Sequence, residues 1–292
     1  MATVYKALDQ TSGKVVVLKK VHTYDPERRE RFTAEARLAA GVEHPNVVQV
    51  LHVTDDSLVA EWVEGADLDD VVADVGALPP ELAVFVAYET ALGLEAVHQA
   101  GILHRDVSAA NVLLGLEGEV KLTDFGLASL ADDEGDQEVR GTLGTLAPEI
   151  IKGEAPSLAS DLFSLGAVLV HALTGRAPFA SGDTSSTLDA VLHLDPAAAL
   201  VGDPRVPATL VEIAESLLDK EPSSRPASAA VVADQLSDVL QALGSPGPGH
   251  LASFLNAPDA YKSPEPRRKR KHPLPPPAPQ RRAAESATQP AP

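Results

Sequence analysis

The chain has 292 residues, of which 44% are apolar, a formal net charge of −18 and no cysteine. That length and apolar content suffice for one large domain or two lobes around a sizeable buried core, and the missing cysteines exclude disulfides, thiolate metal sites and thiol catalysis. No stretch approaches about eighteen uncharged apolar residues and the N-terminus lacks a basic-then-apolar leader pattern, so a cytoplasmic protein without a transmembrane segment is expected.

The charge is unevenly divided. From Gly244 onward eight Lys/Arg face three Asp/Glu, a net +5, which leaves the first 243 residues at −23. A body that acidic is a poor general binder of nucleic acid, because neutralisation of phosphates by Lys/Arg supplies most non-specific affinity. The acids read most simply as a solvated surface.

Residues 4–8 and 14–19 are short β-branched runs joined by Asp9-Gln10-Thr11-Ser12-Gly13, hairpin-turn chemistry that predicts an antiparallel pair. Residues 26–40 place Phe32, Ala36, Ala39 and Ala40 among charges, a helical pattern that carries Glu35. Residues 47–53 and 57–63 read as two further strands. Beyond Gly65 helical segments dominate, around residues 80–100, 157–173, 207–218 and 227–243, each opening near a Pro, Ser or Asp. Residues 244–292 hold twelve of the 24 prolines. No regular helix or central strand is expected there, only a disordered or polyproline-like tail.

The most informative stretch is His104-Arg105-Asp106-Val107-Ser108-Ala109-Ala110-Asn111, with Asp124-Phe125-Gly126 beginning thirteen residues after Asn111. It sets an Asp that can accept a hydroxyl proton at fixed spacing from an amide and a carboxylate that can hold magnesium, the equipment of phosphoryl transfer. Other elements surround it in order: Val4 fifteen residues before Lys19, Glu35 on its helix, Ala147-Pro148-Glu149, Asp161-Leu162-Phe163-Ser164-Leu165-Gly166, and Arg225-Pro226. With that order and spacing, residues 19–243 resemble a Ser/Thr protein kinase, most like the bacterial members.

The resemblance implies an α+β, two-lobed protein kinase fold over residues 1–243. A small antiparallel β N-lobe at about 1–62, with its first strand missing, would precede a larger, mainly helical C-lobe at about 65–243, and a disordered, basic, proline-rich tail would fill 244–292. It also implies ATP and Mg2+ as cofactors and protein substrates with Ser/Thr acceptors. Lys19 would grip the ATP phosphates with Glu35 as its partner, Asp106 would be the catalytic base, and Asn111 and Asp124 would hold the metal. Val4, Val17 and Leu113 would sandwich the adenine, while Glu61 and Val63 would meet its edge through their backbone. Asp67 would lie near the ribose or, equally, act as an acid at a helix N-terminus. Thr142 would bond Asp106 and favour Ser/Thr over Tyr as acceptor. His104 would be a packing residue beneath Asp124-Phe125-Gly126, Glu149 and Arg225 a buried ion pair, and Asp161 the anchor of the catalytic-loop backbone.

Arg105 implies control by an anion on the activation loop. Residues 130–141 contain no Ser, Thr or Tyr but do contain Asp132, Asp133, Glu134, Asp136 and Glu138, which are expected to stand in for phosphate. Ser129, Thr142 and Thr145 are the candidate autophosphorylation sites.

Two positions depart from the family pattern. Val4 falls at the last position of the glycine-rich loop, so Ala2 replaces its third glycine and the first two precede Met1, as expected of an N-terminally truncated product or a late start. Ser108 stands where a Lys usually neutralises the transferring phosphate, which predicts a lowered rate. The alternative readings are a pseudokinase or nucleotide-responsive scaffold, and a scaffold that works through its tail. In that tail, segment 264–282 fits contacts within the chain, contacts with a partner, or a plain linker.

Overall fold

The computed structural model describes residues 2–22, 25–125 and 143–257. Ser129, the acids from Asp132 to Glu138, Thr142 and tail segment 264–282 lie outside the described residues, as does the whole of a second compact unit, Ser263–Pro292.

The first lobe is a four-stranded antiparallel sheet with one helix against it. Strands β1 (Ala2–Leu8) and β2 (Val15–Val21) form the expected hairpin, its turn closed by Asp9, whose carboxylate accepts the Thr11 and Ser12 N–H groups. Strands β3 (Val50–Val53) and β4 (Ser57–Glu61) complete the sheet in the order β1-β2-β4-β3. Helix α1 (Pro26–Ala40) starts on the Asp25 carboxylate, which accepts the Glu27 N–H. It buries Phe32, Ala36 and Ala39 against Val47, Val48, Val50, Leu58 and Ala60.

Residues 62–64 lead from this sheet to a second, small one: β5 (Gly65–Asp67), β6 (Val112–Gly115) and β7 (Val120–Leu122), in that order. Gly65 is required at the crossing, because a Cβ there would sit 2.0 Å from the Leu114 carbonyl oxygen. The rest is helical. Helices α2 (Leu68–Val75), α3 (Pro80–Gln99), α4 (Pro148–Ile151), α5 (Leu158–Thr174), α6 (Thr184–His193), α7 (Ala208–Leu217) and α8 (Ala229–Ala242) share one apolar core. α5 is its axis, with Leu162, Phe163 and Leu165 fully buried and a Ser157/Ser160 capping box at its start. A small antiparallel lobe and a larger helical lobe are the two-lobed α+β arrangement expected from the sequence.

The expectation of no regular helix beyond Gly244 is corrected. A ninth helix, α9 (Pro248–Asn256), buries Leu251 and Phe254 in the core of the larger lobe. Pro248 sits at its first turn, where a missing N–H costs nothing. Asn256 ties the helix to the small sheet by donating from Nδ2 to the Leu116 carbonyl, 2.9 Å. Among the described residues, no helix is long and apolar enough to cross a membrane.

Candidate active site

The residues connecting α3 to β6 form a loop that is held from beneath. Asp161, in the first turn of α5, accepts the backbone N–H of His104 on Oδ2 and that of Arg105 on Oδ1, both at 2.8 Å. Arg105 needs that support, because its φ of 67° lies in the left-handed region that a non-glycine residue occupies only at a cost. His104 has no exposed surface. Its Nε2 lies 3.1 Å from the Thr123 carbonyl, and its Nδ1 accepts the Asp106 N–H at 3.3 Å. Those two bonds define a neutral ring protonated on Nε2, and burial pushes its pKa below the ordinary value. His104 therefore joins the backbone of Asp106 to the strand that leads into Asp124, with the Phe125 ring 6.2 Å away.

Asn111 closes the loop from the other side. Its Nδ2 donates to the Asp106 carbonyl at 2.8 Å and to Asp106 Oδ2 at 2.9 Å, while its own carbonyl accepts the Thr123 N–H at 3.0 Å. Asp106, Asn111 and the residue before Asp124 thus form one bonded constellation. Asp124 itself takes a left-handed φ of 62°. Lys19 Nζ, on β2, meets Asp124 Oδ1 at 2.9 Å. The resemblance implies Glu35 as the partner of Lys19 when the enzyme is switched on, and in this structure Lys19 is paired with Asp124. Glu35 is half-buried on α1.

A cavity of about 370 Å³ lies between the lobes. Val4, Val17 and Leu113 line its apolar walls, Lys19 and Asp124 supply charge, and Glu61, Val63 and Asp67 line the side nearest residues 62–67. Glu35, Asp106 and Asn111 are not among its lining residues. Asp67 also caps α2, its Oδ1 accepting the Asp70 N–H at 2.8 Å, and burial, with Asp69 and Asp70 nearby, raises its pKa. The helix-cap and cavity positions for Asp67 coexist in one side chain.

Sequence reasoning missed two groups. Ala39, Val48, Leu58, Ala60 and Phe125, all buried, also line the cavity; Ala39 on α1 and Leu58 and Ala60 on β4 were legible as core but not as cavity lining. Lys121, on β7, donates to Glu61 Oε1 at 2.7 Å, and the same oxygen accepts the Gln49 N–H at 2.9 Å. No local pattern signals a pair sixty residues apart.

This arrangement, an interlobe cavity with Lys19 and Asp124 inside it and a bonded Asp106–Asn111 loop below, has a counterpart among known proteins. A family model described as protein kinase domain matches residues 1–237. The chain belongs to the protein kinase family. The kinase is 35% identical over 256 residues to a probable serine/threonine-protein kinase pknA2 of Bifidobacterium longum, which covers 82% of this chain and 33% of that protein. It is 36% identical over 264 residues to the serine/threonine-protein kinase PknA of Mycobacterium tuberculosis, covering 85% of this chain and 60% of the relative. The chain therefore spans between a third and three-fifths of the length of these curated relatives. A solved structure of Rad53 1-466 in complex with AMP-PNP superimposes with a TM-score of 0.66 at 28% identity, covering 80% of this chain and 61% of that one.

The larger lobe of the kinase is locked by a buried ion pair. Arg225 Nη1 and Nη2 grip the two oxygens of Glu149 at 2.7 and 2.8 Å, and Ser160 Oγ donates to Oε1 at 2.8 Å. Burial alone would raise the Glu149 carboxyl, but the bonds from Arg225 and Ser160 outweigh it and hold it below its ordinary range. This pair anchors α4, which follows the segment leading out of residue 142, to α5 and the loop after α7.

Proposed function

We propose that the chain is a Ser/Thr protein kinase that transfers the terminal phosphoryl group of ATP to protein hydroxyls. The observation that carries this reading is the bonded set Asp106–Asn111–Thr123, with Asp124 next in the chain and paired to Lys19 inside the cavity. Asp106 accepts the proton of the Ser or Thr hydroxyl, the freed oxygen attacks the terminal phosphorus, the bond to the bridging oxygen breaks, and ADP leaves. The adenine fits between Val4, Val17 and Leu113, with the backbone of Glu61 and Val63 at its edge and Asp67 near the ribose. Lys19 grips the phosphates with Glu35 as its partner, and Asp124 would hold the metal. Thr142 shapes the acceptor site for a short hydroxyl.

The donor set fits magnesium. Asp124 offers a carboxylate, and because Asn111 commits its Nδ2 to Asp106, its amide oxygen is the atom left for a cation. Bound there, Mg2+ would neutralise charge on the phosphates. The substrates are proteins with Ser/Thr acceptors, and the tail segment 264–282 is a candidate contact for an acidic surface.

The test is transfer of labelled phosphate from ATP with Mg2+ to a protein acceptor, followed by phosphoamino-acid analysis. Label on Ser and Thr is expected, and Asp106→Asn should lower the rate by roughly 10²- to 10⁴-fold. Nucleotide binding without transfer in the parent chain would favour the nucleotide-responsive scaffold, a reading that Ser108 supports. Label on Tyr would overturn the acceptor assignment.

A further inference from the structure

We propose that the groove between α2, α9 and residues 62–66 is a docking site for a peptide segment of a partner protein, one that sets an apolar side chain beside an arginine or lysine. Its effect on nucleotide binding rests on the kinase reading, whereas the docking itself does not.

The groove encloses about 430 Å³, a volume that suits a ligand, against about 370 Å³ for the cavity between the lobes. Val71 and Val75 of α2, Leu114 of β6 and Phe254 of α9 are buried and form its floor, and Trp62 and Leu116, 37% and 41% exposed, form its rim. α9 lies beyond residues 1–237, which the family model matches, so this wall is an addition to the kinase domain. It is packed at both ends on the turn between β6 and β7. Asn256 donates to the Leu116 carbonyl, and a Cβ on Gly118 would sit 1.9 Å from the Pro248 carbonyl oxygen. The groove is therefore preformed, which lowers the entropy that binding costs.

The charges select the occupant. Glu64 and Asp74, both exposed, line the groove, and among the described residues neither carboxylate forms an ion pair. The cation that lines it, Lys6 of β1, sits over the Trp62 ring with Nζ 4.0 Å from the centroid, so the indole face favours a basic group. An apolar side chain fills the floor, and a basic neighbour meets the two carboxylates. A purely apolar segment would leave both unmatched, and an acidic one would be repelled by them and by a body that carries −23 over its first 243 residues.

The groove also reaches the nucleotide. Trp62, Gly65 and Ala66 line both cavities, so one stretch of chain is a shared wall. Trp62 stands between Glu61 and Val63, whose backbone meets the adenine edge in the kinase reading. A peptide that fixes Trp62 therefore changes the affinity for ATP, and ATP changes the affinity for the peptide by the same factor.

The probe is a capped hexapeptide of alternating leucine and arginine, with a second version carrying glutamate for arginine. Trp62 is the only tryptophan of the chain, so its emission reports on the groove directly. The leucine–arginine peptide should shift that emission saturably, and the glutamate version should leave it unchanged. The double variant Glu64→Lys, Asp74→Lys and, separately, Leu116→Asp should each weaken binding at least about tenfold. All three side chains are exposed, and unchanged thermal midpoints would confirm that the fold is kept. Saturating peptide should change the Kd for ATP at least about fivefold. The absence of a saturable shift, equal binding of the two peptides, or full affinity in either variant would overturn the docking site. A dimer of the chain alone that Leu116→Asp dissociates would also overturn it, because the occupant would then be a second copy. Peptide binding with an unchanged Kd for ATP would overturn the coupling. A chain that binds the peptide but no ATP would count against the kinase reading alone.

Discussion

At His104 a titratable ring is made inert by its surroundings. Burial pushes its pKa below the ordinary 6.5, and His44 and His171 are lowered for the same leading reason. Below pH 6.5 the unfolded chain takes up protons on these rings that the folded chain does not. Their contribution to stability is therefore complete above 6.5 and is lost as pH falls through the depressed folded values. Urea unfolding at pH 7.5 and 5.5 should show a lower midpoint at the acid pH, and His104→Phe should show a smaller difference between the two. An identical difference in the variant would assign the acid sensitivity to other groups. Ser108, buried two residues from Asp106, supports a second expectation at this scale. Ser108→Lys supplies the missing cation and should raise phosphate transfer on the order of tenfold or more, measured as kcat with saturating ATP.

The elements differ in how openly the sequence announces them. α3 and α5 are long and apolar, α5 is capped at both ends, and the core role of Phe32, Ala36 and Ala39 on α1 follows from their helical spacing. The loop from His104 to Asn111 was legible for a different reason, since Asp106, Asn111 and Asp124 are close enough in the chain to be read as one pattern. β5 and β7 have three residues each and β6 has four, too short for a period-two signal to rise above chance. α9 was hidden by the proline content of the whole tail, although Leu251, Phe254 and Leu255 repeat at helical spacing and Pro248 opens the helix. Because Leu251 and Phe254 are buried in the main core, a chain ended at Gly244 should be less stable than one ended at Ala257. Burial of a large apolar side chain contributes about 1.5–3 kcal/mol, so the two together predict a loss of roughly 3–6 kcal/mol. Thermal unfolding of the two lengths measures it, and equal midpoints would show that α9 is dispensable.

The two lobes meet through contacts of unequal strength, and that inequality bears on how a ligand acts on the whole molecule. Backbone bonds from Val48 N–H to the Leu122 carbonyl, 2.9 Å, and from Leu122 N–H to the Asn46 carbonyl, 2.8 Å, tie them permanently. Lys19 and Asp124, 105 residues apart, join them by an ion pair whose side chains are 18% and 41% exposed. A pair that open to water contributes at most about 1 kcal/mol, so a ligand can displace it at little cost. The sequence order that marks Glu35, sixteen residues after Lys19, carries no signal for a contact with a carboxylate 105 residues away. ATP with Mg2+ should then stabilise the fold beyond what ATP alone achieves, since the metal takes over the Asp124 carboxylate while the phosphates take over Lys19. At a hundredfold excess over Kd, binding adds about 2.7 kcal/mol. Thermal unfolding with ATP should show a higher midpoint in Mg2+ than in EDTA. In Asp124→Asn the shift produced by ATP should persist while the increment from Mg2+ disappears. An increment that survives in Asp124→Asn would place the metal on other residues and leave Asp124 as a structural partner of Lys19.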